Sequence, residues 1–489
     1  MADFHFSPRA NRASDIAWRV WGEDAFAQAA ASDKPILLGI SAVWCHWCHV
    51  MDETSYSDSA VIDEINRNFV PVRVDNDERP DINARYNMGG WPTTAFLTPD
   101  GELIAGFTYL PPSQMQRALG EISTFYATNR DRIVQRVQTA RAARDATAIL
   151  TPDALHGSIV VDVAQKLVAG YDAEFGGFGD APKFPQAEGL EFLLSRWRAT
   201  QDPSYYEIVA HTMRAMSRGG MYDHVEGGFF RYSTTRDWSV PHFEKMSEDH
   251  AGLVRVLAGL QLWAPSPQWR ETLKSALRYL RTVLRDKETA LFAGSQDADE
   301  EYFALDLSSR NARKAPYIDR RSYSNWTAAL AGAFAWASSA LDDDELAAES
   351  TATLDSLHER MRDEDGLLFH VLEPGKPPRI RGLLTDQTAY LRALLDAHEH
   401  AGDARFLSRA IAHADLIIER FFSPGGGFYD RASFEVTIGR LELSDRPILE
   451  NGIMAETLVR LGTLTGEARF RERAQATLAL YTQSYGDAG

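Results

Sequence analysis

The sequence predicts an α/β domain at the N-terminus and an all-α toroid after it. Two observations, a closely spaced pair of cysteines and an apolar segment before it, predict the α/β domain. Both cysteines of the 489-residue chain, Cys45 and Cys48, are separated by only two residues, and they follow an apolar segment of buried-strand type at 35–41. The third observation is a change of pattern near Thr151, beyond which helical stretches dominate and β-branched alternation is scarce.

The N-terminal elements follow one another in the order αβαβαββα, which is typical of an α/β sandwich. Cys45 opens a predicted helix that continues to about Asn66. The turn signal at 99–101, Pro-Asp-Gly, predicts a hairpin between the last two strands. We expect the domain boundaries at 1–128 for the α/β domain, 129–152 for a connecting helix and 153–489 for the toroid.

The composition is that of a soluble protein with an acidic surface. Acidic residues number 69 and basic residues 51, which gives a formal net charge of −18. This charge argues against a nucleic-acid partner and against docking on anionic lipid. No segment reaches the roughly 18 apolar residues of a membrane-spanning helix, and the start shows no secretory pattern. We therefore expect a cytoplasmic protein without a membrane partner.

The pair of cysteines has the spacing of the redox centre of thioredoxin-like folds. In a helix, Cys45 and Cys48 lie on one face, where they can close a small disulfide ring. Free N–H groups and the helix dipole favour a thiolate at Cys45, and His46 adds positive charge. We expect Cys45 to be the attacking thiolate and Cys48 the resolving thiol, with Trp44 covering the first sulfur.

The segment Gly89-Gly90-Trp91-Pro92 resembles the cis-proline loop of the same fold. A cis peptide bond almost always precedes a proline, and it fixes a sharp turn. We expect this turn beside the sulfurs, with the backbone of Trp91 available to pair with an extended substrate. The predicted catalytic residues are Cys45, Cys48, Pro92, Trp91 and His46.

Two other roles for the cysteine pair remain open. The sulfurs of Cys45 and Cys48 together with the imidazole of His49 have the chemistry of a metal site, although no second ligand cluster follows them. Alternatively the pair is vestigial or structural, because domains of this kind also serve as docking modules. The sequence predicts no bound cofactor.

A loop signature of acidic residues, glycines and aromatic residues recurs in the helical part. Its spacing of roughly 50 to 75 residues fits two helices plus loops for each repeat. Helical hairpins joined in this way predict a closed α/α toroid, and an open solenoid, whose repeats are usually shorter and more regular, is the alternative. The copies lie at 172–178, 226–230, 287–292, 363–369 and 424–430.

The densest polar segment of the helical part, at 219–246, combines glycine, aromatic and ionisable residues in a predicted connecting loop. Sugar sites need this mixture, with aromatic faces for C–H surfaces and polar groups for hydroxyls or proton transfer. Paired carboxylates would act as acid and base, whereas His224 and His242 would exchange a proton α to a carbonyl group. Alternatively these side chains only tie the loops together. The candidate pocket residues are Asp223, His224, Arg231, Tyr232, His242, Glu244, Lys245, Asp297, Asp386 and Glu450.

These segments resemble those of the family of thioredoxin-domain proteins that includes spermatogenesis-associated protein 20 and its bacterial relatives. The resemblance covers nearly the whole chain. It implies a thioredoxin-like domain joined to an (α/α)6-type barrel, similar to six-hairpin glycosidases and to N-acylglucosamine 2-epimerase. The segments that carry the resemblance are Cys45–Met51, Val74–Asp75, Asp77–Asp81, Gly89–Pro92, Ala181–Pro185 and Val240–Met246.

The chain departs from the family pattern in the barrel. Directly after Met246, the usual Leu-Tyr-Asp-Gln is replaced by Ser-Glu-Asp-His at 247–250. The usual Ser-Trp-Asn-Gly-Leu segment is present only as Ser-Asn-Trp-Thr at 324–327. These departures weaken the argument for an inherited sugar activity, whereas the redox motif is intact.

We interpret the chain as a thiol–disulfide oxidoreductase or redox-sensing protein fused to a carbohydrate-enzyme-like barrel. Its expected partner is a protein thiol or disulfide, or a small molecule such as a sugar. One alternative is a carbohydrate-processing enzyme, an epimerase, isomerase or glycosidase-like protein with its pocket in the barrel. The other is a module that binds a ligand or partner without converting it.

Overall fold

The computed structural model describes residues 4–147, 150–432 and 437–485. The chain divides into two compact units, which comprise Met1–Leu150 with Phe434–Asp445, and Thr151–Ser433 with Arg446–Gly489. The residues described at 437–445 therefore belong to the first unit, although the sequence analysis places them in the toroid. The segment treated there as a connecting helix also groups with the first unit.

The described residues of the first unit form the predicted sequence of elements, with one helix divided in two. Its strands are β1 (Ile36–Ser41), β2 (Val70–Asp75), β3 (Thr93–Leu97) and β4 (Leu103–Phe107). Its helices are α1 (Glu23–Ser32), α2 (His46–Glu53), α3 (Ser59–Asn68), α4 (Pro80–Tyr86), α5 (Pro112–Thr128) and α6 (Arg130–Thr147). β1 pairs in parallel with β2 and antiparallel with β3, so the strand order is β2-β1-β3-β4.

The sheet of the first unit is covered on both faces, which explains the continuous apolar run of β1. Leu37 packs with residues of α3 and α5, whereas Leu38 and Ile40 pack with residues of α1 and α4. Successive side chains of a strand point to opposite faces, so a strand between two helical layers is apolar at every position. Burying each of these side chains stabilises the fold by about 1.5–3 kcal/mol.

The predicted single helix from Cys45 to about Asn66 is wrong, because α2 and α3 are separate helices. A 3-10 turn at Ser55–Ser57 lies between them. The side chain of Asp58 accepts hydrogen bonds from two backbone N–H groups in the first turn of α3. An aspartate at this position is a strong helix start signal, and it outweighs the apolar periodicity that continues across the break.

The described residues of the second unit are mainly helical, with short strands in the loops. The helices are α7 (Ser158–Gly170), α8 (Ala187–Thr200), α9 (Pro203–Arg218), α10 (Ser247–Trp263), α11 (Pro267–Tyr279), α12 (Glu300–Phe303), α13 (Leu307–Asn311), α14 (Ser324–Leu341), α15 (Asp344–Arg360), α16 (Leu384–His400), α17 (Arg405–Phe421), α18 (Ile448–Thr465) and α19 (Ala468–Leu478). The strands are β5 (Tyr232–Ser233), β6 (Pro241–His242), β7 (Lys245–Met246), β8 (Ser295–Gln296), β9 (Ile318–Asp319), β10 (Ser322–Tyr323), β11 (Phe369–Leu372) and β12 (Arg379–Arg381).

Buried and partly exposed helices alternate along the second unit. α8, α10, α14, α16 and α18 pack against one another in that order, and α10, α14 and α16 are buried over most of their surface. α9, α11, α15, α17 and α19 follow them as outer helices with a single buried stripe. This is an (α/α)6-type barrel, and the predicted fold class is confirmed. None of the described helices has the length and apolarity needed to cross a lipid bilayer.

The recurring loop signature forms the same small structure in each copy. Gly227 and Gly228 have φ of +88° and +84°, a conformation that side chains disfavour, which is why glycine recurs there. A single antiparallel bridge closes each loop, and the aromatic or apolar residue after the glycines is buried beneath it. The bridged pairs are Tyr171 with Phe178, Tyr222 with Phe229, Arg285 with Phe292, Arg362 with Leu368 and Phe422 with Phe428.

Candidate functional site

A disulfide bond joins Cys45 and Cys48 at the N-terminus of α2. Cys45 is the N-cap residue, and its Sγ accepts a hydrogen bond from the backbone N–H of Cys48 at 3.1 Å. Such N–H groups stabilise negative charge, so the geometry favours a thiolate at Cys45 once the disulfide is reduced. The two residues are only 4% and 2% exposed, so the disulfide is largely covered by protein.

Two tryptophans lie near the disulfide. Trp44, directly before Cys45, is buried, and its indole Nε1 donates a hydrogen bond of 2.7 Å to the carboxylate of Asp77. The ring of Trp44 contacts the ring of Trp91 edge to face, with centroids 5.6 Å apart. The hydrogen bond and the ring contact fix the wall of the site next to Cys45.

The loop of Trp91 and Pro92 lies at the same end of the sheet as the disulfide. The peptide bond between Trp91 and Pro92 is cis. Ile40, near the end of β1, pairs with Thr93 in β3, which places Pro92 beside the end of β1. Since the chain reaches Cys45 four residues after the end of β1, the structure brings together the two motifs that the sequence analysis paired.

The histidines of the motif differ in their environments. His46 is half-buried beside the exposed ring of Trp47, at 5.8 Å between centroids. Burial, together with the neighbouring His5, lowers the pKa of His49 to about 4, so its imidazole is neutral at physiological pH. Among the described residues, no group of three or more His, Cys, Asp or Glu side chains is arranged to hold a metal ion.

A buried ion pair holds α2 against the sheet. The guanidinium of Arg73 in β2 donates two hydrogen bonds, each of 2.9 Å, to the carboxylate of Asp52. Asp52 also accepts a hydrogen bond of 3.1 Å from the backbone N–H of Ser7. The pair therefore ties α2 both to the sheet and to the N-terminal segment, and it holds the helix that carries the disulfide.

In the barrel, Asp223 and Lys245 belong to a buried ionic network. The carboxylate of Asp223 accepts hydrogen bonds of 2.7 Å from both Lys245 and Arg310, and Arg310 also contacts Glu226 at 2.8 Å. Burial lowers the pKa of Lys245 to about 8, against the opposing effect of Asp223. Because Lys245 also donates to the backbone of Gly227, the network fixes the glycine loop.

Three more of the predicted pocket residues make local contacts. His224 is exposed, and its Nε2 lies 3.1 Å from the backbone oxygen of Gly219. Asp297 is buried, and its carboxylate accepts a hydrogen bond from the N–H that follows it. Asp386 is fully buried and lies 2.8 Å from Nδ1 of His370. These contacts are those of residues that shape loops and helix ends.

Tyr232 and His242 form part of an aromatic stack. The ring of Tyr232 lies between those of Phe184 and His242, with centroid distances of 4.8 Å and 4.9 Å. Phe184 is 42% exposed, whereas Nδ1 of His242 contacts the buried carboxylate of Glu244. The N–H of Arg231 donates to the backbone oxygen of Glu244 at 2.9 Å, so these residues form one wall.

Beside Glu450, which the sequence analysis selected, the barrel pocket includes three acidic residues that it did not select. Glu248 and Asp249 lie in the first turn of α10, and Glu188 and Glu450 lie in the first turns of α8 and α18. Glu248 interacts electrostatically with Glu188 and Glu450 and accepts a hydrogen bond from Trp326 at the start of α14. Four helix starts therefore meet at one place. Acidic residues in the first turns of α8, α10, α16 and α18 were the available sequence signal.

Asp249 has the most unusual environment of these carboxyl groups. Its Oδ2 is buried and has no hydrogen-bond partner among the residues that the structure describes. Burial, with smaller contributions from Glu248, Glu188 and Glu244 and against the opposing effect of Arg231, raises the pKa of Asp249 to about 8. A carboxyl group in this environment keeps its proton at neutral pH.

Comparisons with known proteins agree with both units. Residues 8–144 match the family Thioredox_DsbH, described as protein of unknown function, DUF255. Over 96% of its length, the chain aligns with 76% of spermatogenesis-associated protein 20 from Mus musculus at 26% identity. The chain is similar to spermatogenesis-associated protein 20 over nearly its whole length. The match to Thioredox_DsbH supports the thioredoxin-like assignment of the first unit.

Solved structures are similar to the chain over about the share that the barrel occupies. Cellobiose 2-epimerase from Bacillus thermoamylovorans matches 68% of this chain and 88% of its own, with a TM-score of 0.54 and 15% identity. A sugar epimerase from a ruminal bacterium matches 67% and 85%, with a TM-score of 0.55 and 12% identity. At these identities the likeness shows a shared fold, the (α/α)6-type barrel.

Proposed function

We propose that the first unit is a thiol–disulfide oxidoreductase that uses Cys45 and Cys48. The observation that supports this most is the disulfide at the start of α2, where the N–H of Cys48 donates to the sulfur of Cys45. In the reduced protein, the Cys45 thiolate attacks a partner disulfide, forms a mixed disulfide and releases one partner thiolate. Cys48 then attacks the mixed disulfide, which reforms the internal disulfide and releases the second partner thiol.

The proposed partner is a protein or peptide disulfide. Trp47, two residues after Cys45, is 48% exposed, and its ring packs against Tyr109 at 5.1 Å between centroids. Exposed aromatic side chains are frequent anchors for protein partners. The cis-proline loop of Trp91 and Pro92 offers backbone groups to an extended segment on the other side of the sulfurs.

A redox titration tests this proposal. The protein is equilibrated against glutathione buffers, trapped with an alkylating reagent and analysed by mass spectrometry. We expect a reversible loss and gain of two hydrogens at the pair. In Cys48→Ser, a mixed disulfide with the buffer thiol should accumulate at Cys45, whereas Cys45→Ser is the matched control that should form none. A disulfide that never cycles would remove the proposal.

The barrel supports a second candidate function, the processing of a carbohydrate. The specific observation is the stack of Phe184, Tyr232 and His242, which is next to the carboxylate of Glu244. Sugars bind to aromatic faces through their C–H surfaces, and neighbouring carboxylates and imidazoles serve their hydroxyl groups or transfer protons. The fold shared with sugar epimerases is consistent with this function.

Epimerase, isomerase and glycoside-cleaving assays over neutral mono- and disaccharides test the second function. We expect His242→Ala to abolish turnover, because it removes both one layer of the stack and the partner of Glu244. His224→Ala is the matched control, since His224 is exposed and contacts the backbone oxygen of Gly219 and the ring of Tyr222 rather than the stack. Equal turnover in the two variants would contradict the pocket assignment.

A further inference from the structure

We propose that the barrel binds a single helix of a partner protein in a groove lined by α7, α8 and α18, which we call the seam groove. The seam groove lies where a sixth inner helix of the ring would run. The partner helix presents small and apolar side chains to the groove and basic side chains to its acidic edges. The interaction is independent of the reaction proposed for either unit.

The long helices of the barrel, as far as the structure describes them, form an outer layer of six and an inner layer of five. α7 belongs to the outer layer, because a glycine loop follows it as one follows α9, α11, α15 and α17. The backbone N–H of Asp153, just before α7, donates to the carbonyl oxygen of Ala479 at 2.9 Å, and the hydroxyl of Tyr485 donates to Asp162 in α7 at 3.0 Å. α7 therefore lies next to the end of α19. In the inner layer, by contrast, α8 and α18 lack the close packing that joins the other neighbours.

α18 leaves one side uncovered, unlike the inner helices before it. α10, α14 and α16 are buried around most of their surface. α18 is as rich in apolar residues, but the side that its neighbours α16 and α19 leave open carries a stripe at helical spacing. The stripe consists of Gly452, Glu456, Val459 and Thr463, and Val459 is 42% exposed.

Gly452 on this stripe indicates the close approach of another helix. In the inner helices α10 and α14, glycines lie against a neighbouring inner helix. A Cβ at Gly252 or Gly259 would lie 2.6 Å or 2.7 Å from side chains of α8, and one at Gly332 would lie 2.6 Å from Asp396 of α16. A Cβ at Gly452 would meet nothing within 4 Å. Because glycine inside a helix is less stable than alanine, its presence at an open position points to a helix that packs there.

α8 has an uncovered stripe of its own. Ala187 and Leu194 face α10, whereas Glu188, Ser195 and Ala199 lie on another side of α8 and are exposed. Their spacings of seven and four residues place them on one face of the helix. The small side chains on this face and at Gly452 let a helix come close to both walls, since the distance between packed helices depends on the side chains at the contact.

α7 provides the apolar base of the seam groove. Only Ala164 of this helix is buried. Val160, Val161 and Val168 lie on the same side as Ala164 and are 38%, 45% and 41% exposed. An outer helix normally covers such a stripe with inner helices, and a contiguous exposed apolar surface marks an interaction site.

The charges at the seam groove favour a basic helix. Glu188 is exposed, and the side chain of Glu456 is 49% exposed. Arg392 and Arg460 lie 3.6 Å and 4.0 Å from the Glu456 carboxylate, which leaves it accessible to a closer cation. Lysine or arginine on the partner helix complements these edges. A second copy of the chain is disfavoured, because each copy has a net charge of −18.

Peptide binding to the full chain tests the seam groove. The probe is a labelled helical peptide of 18 residues, the length of α14 and α18, with alanine and leucine on one face and lysine on the other. In the control peptide, glutamate replaces every lysine. By fluorescence anisotropy we expect one lysine peptide to bind per chain and the glutamate peptide to bind at least about tenfold more weakly. Absence of binding by the lysine peptide, or equal binding of the two, would overturn the proposal.

Gly452→Leu tests the location. Nothing lies within 4 Å of a Cβ at this position, so the variant should unfold at the wild-type temperature or above it. The leucine side chain fills the groove and should weaken binding of the lysine peptide at least about tenfold. Gly120→Leu in α5 is the matched control, since a Cβ there also meets nothing within 4 Å, and it should bind the peptide as the wild type does. Unchanged affinity in Gly452→Leu would contradict the seam groove as the binding site.

Sedimentation of the full chain distinguishes a partner helix from a second copy. We expect a monomer at micromolar concentration, with the seam groove open to the peptide. A dimer that Gly452→Leu dissociates would show that the groove is an interface between copies, and it would overturn the assignment of a partner helix.

Discussion

The backbone N–H of Cys48 donates a hydrogen bond to the sulfur of Cys45 at 3.1 Å, so each member of the disulfide contributes to the same helix start. After reduction this N–H group points at the sulfur that carries negative charge. Cys48 lies one turn further along α2, within the helix rather than at its N-cap. The geometry therefore distinguishes an attacking thiolate from a resolving thiol.

We expect reduced Cys45 to be alkylated by iodoacetamide at neutral pH about tenfold faster than Cys48, because the thiolate is the reactive species. Peptide mass spectrometry after short reaction times measures both rates in one sample. Cys48→Ser and Cys45→Ser confirm the assignment of each rate. Equal rates, or a Cys45 that does not react, would mean that the helix start does not activate the sulfur.

Removal of Asp52 should destabilise the first unit. Asp52→Ala leaves the guanidinium of Arg73 buried without its partner, and we expect a loss of about 3–5 kcal/mol in the free energy of unfolding. Arg12→Ala, which breaks the exposed pair of Arg12 with Asp15, is the matched control and should cost less than about 1 kcal/mol. Urea unfolding followed by tryptophan fluorescence measures both, and similar losses would contradict the anchoring role of Asp52.

The sequence was sufficient for the elements whose signals are local. The apolar run of β1, the spacing of Cys45 and Cys48 and the glycine loops each have one structural solution, and the structure contains all of them. The division of α2 from α3 was missed because apolar periodicity continues across it. The signal of Asp58 was present but weaker than that pattern.

The barrel pocket could be predicted only in part, because its residues come from helix starts far apart in the sequence. Glu244, Tyr232 and His242 lie close together along the chain, so the local concentration of polar and aromatic residues was enough to select them. Asp249 and Glu188 acquire their significance from a meeting of α8 and α10 that only the tertiary structure shows. The same local concentration of polar residues also selected Asp223, which belongs to a buried ionic network with Lys245 and Arg310.

A glycine loop of the barrel should be intolerant of side chains. In Gly228→Ala the new Cβ would lie 2.8 Å from Nε2 of His250 and 2.7 Å from Tyr279, at a φ of +84°. We expect a loss of about 2–4 kcal/mol, from backbone strain and from steric overlap. Gly375→Ala is the matched control, since Gly375 has a φ of +77° but nothing within 4 Å of the added Cβ. It should show the backbone strain alone, about 1 kcal/mol, and chemical denaturation compares the two.

Asp223→Ala should lower the stability of the barrel even without a ligand. It leaves Lys245 and Arg310 buried without their shared carboxylate, at an expected cost of about 3–5 kcal/mol. His242→Ala removes one contact of the buried Glu244 carboxylate at the partly open stack and should cost less, about 1–3 kcal/mol. Thermal unfolding of both variants decides whether a loss of sugar binding in Asp223→Ala reports the pocket or the fold. A fully stable Asp223→Ala would show that the network contributes no stability.

The stability of the protein should respond to pH through Asp249. Burial raises the pKa of Asp249 to about 8, above that of the unfolded chain, so the folded state binds more protons between the two values. Folding is therefore weakened as pH rises from about 4 to about 8, by an amount on the order of 5 kcal/mol for this group. Asp249→Asn, which cannot ionise, should be increasingly more stable than the wild type across that window, whereas Asp344→Asn, at an exposed aspartate in the first turn of α15, should differ from the wild type by a constant amount. Melting temperatures at pH 5 and pH 8 measure the difference. If the difference in stability between Asp249→Asn and the wild type does not grow with pH, Asp249 is already ionised in the folded protein and its pKa is not raised.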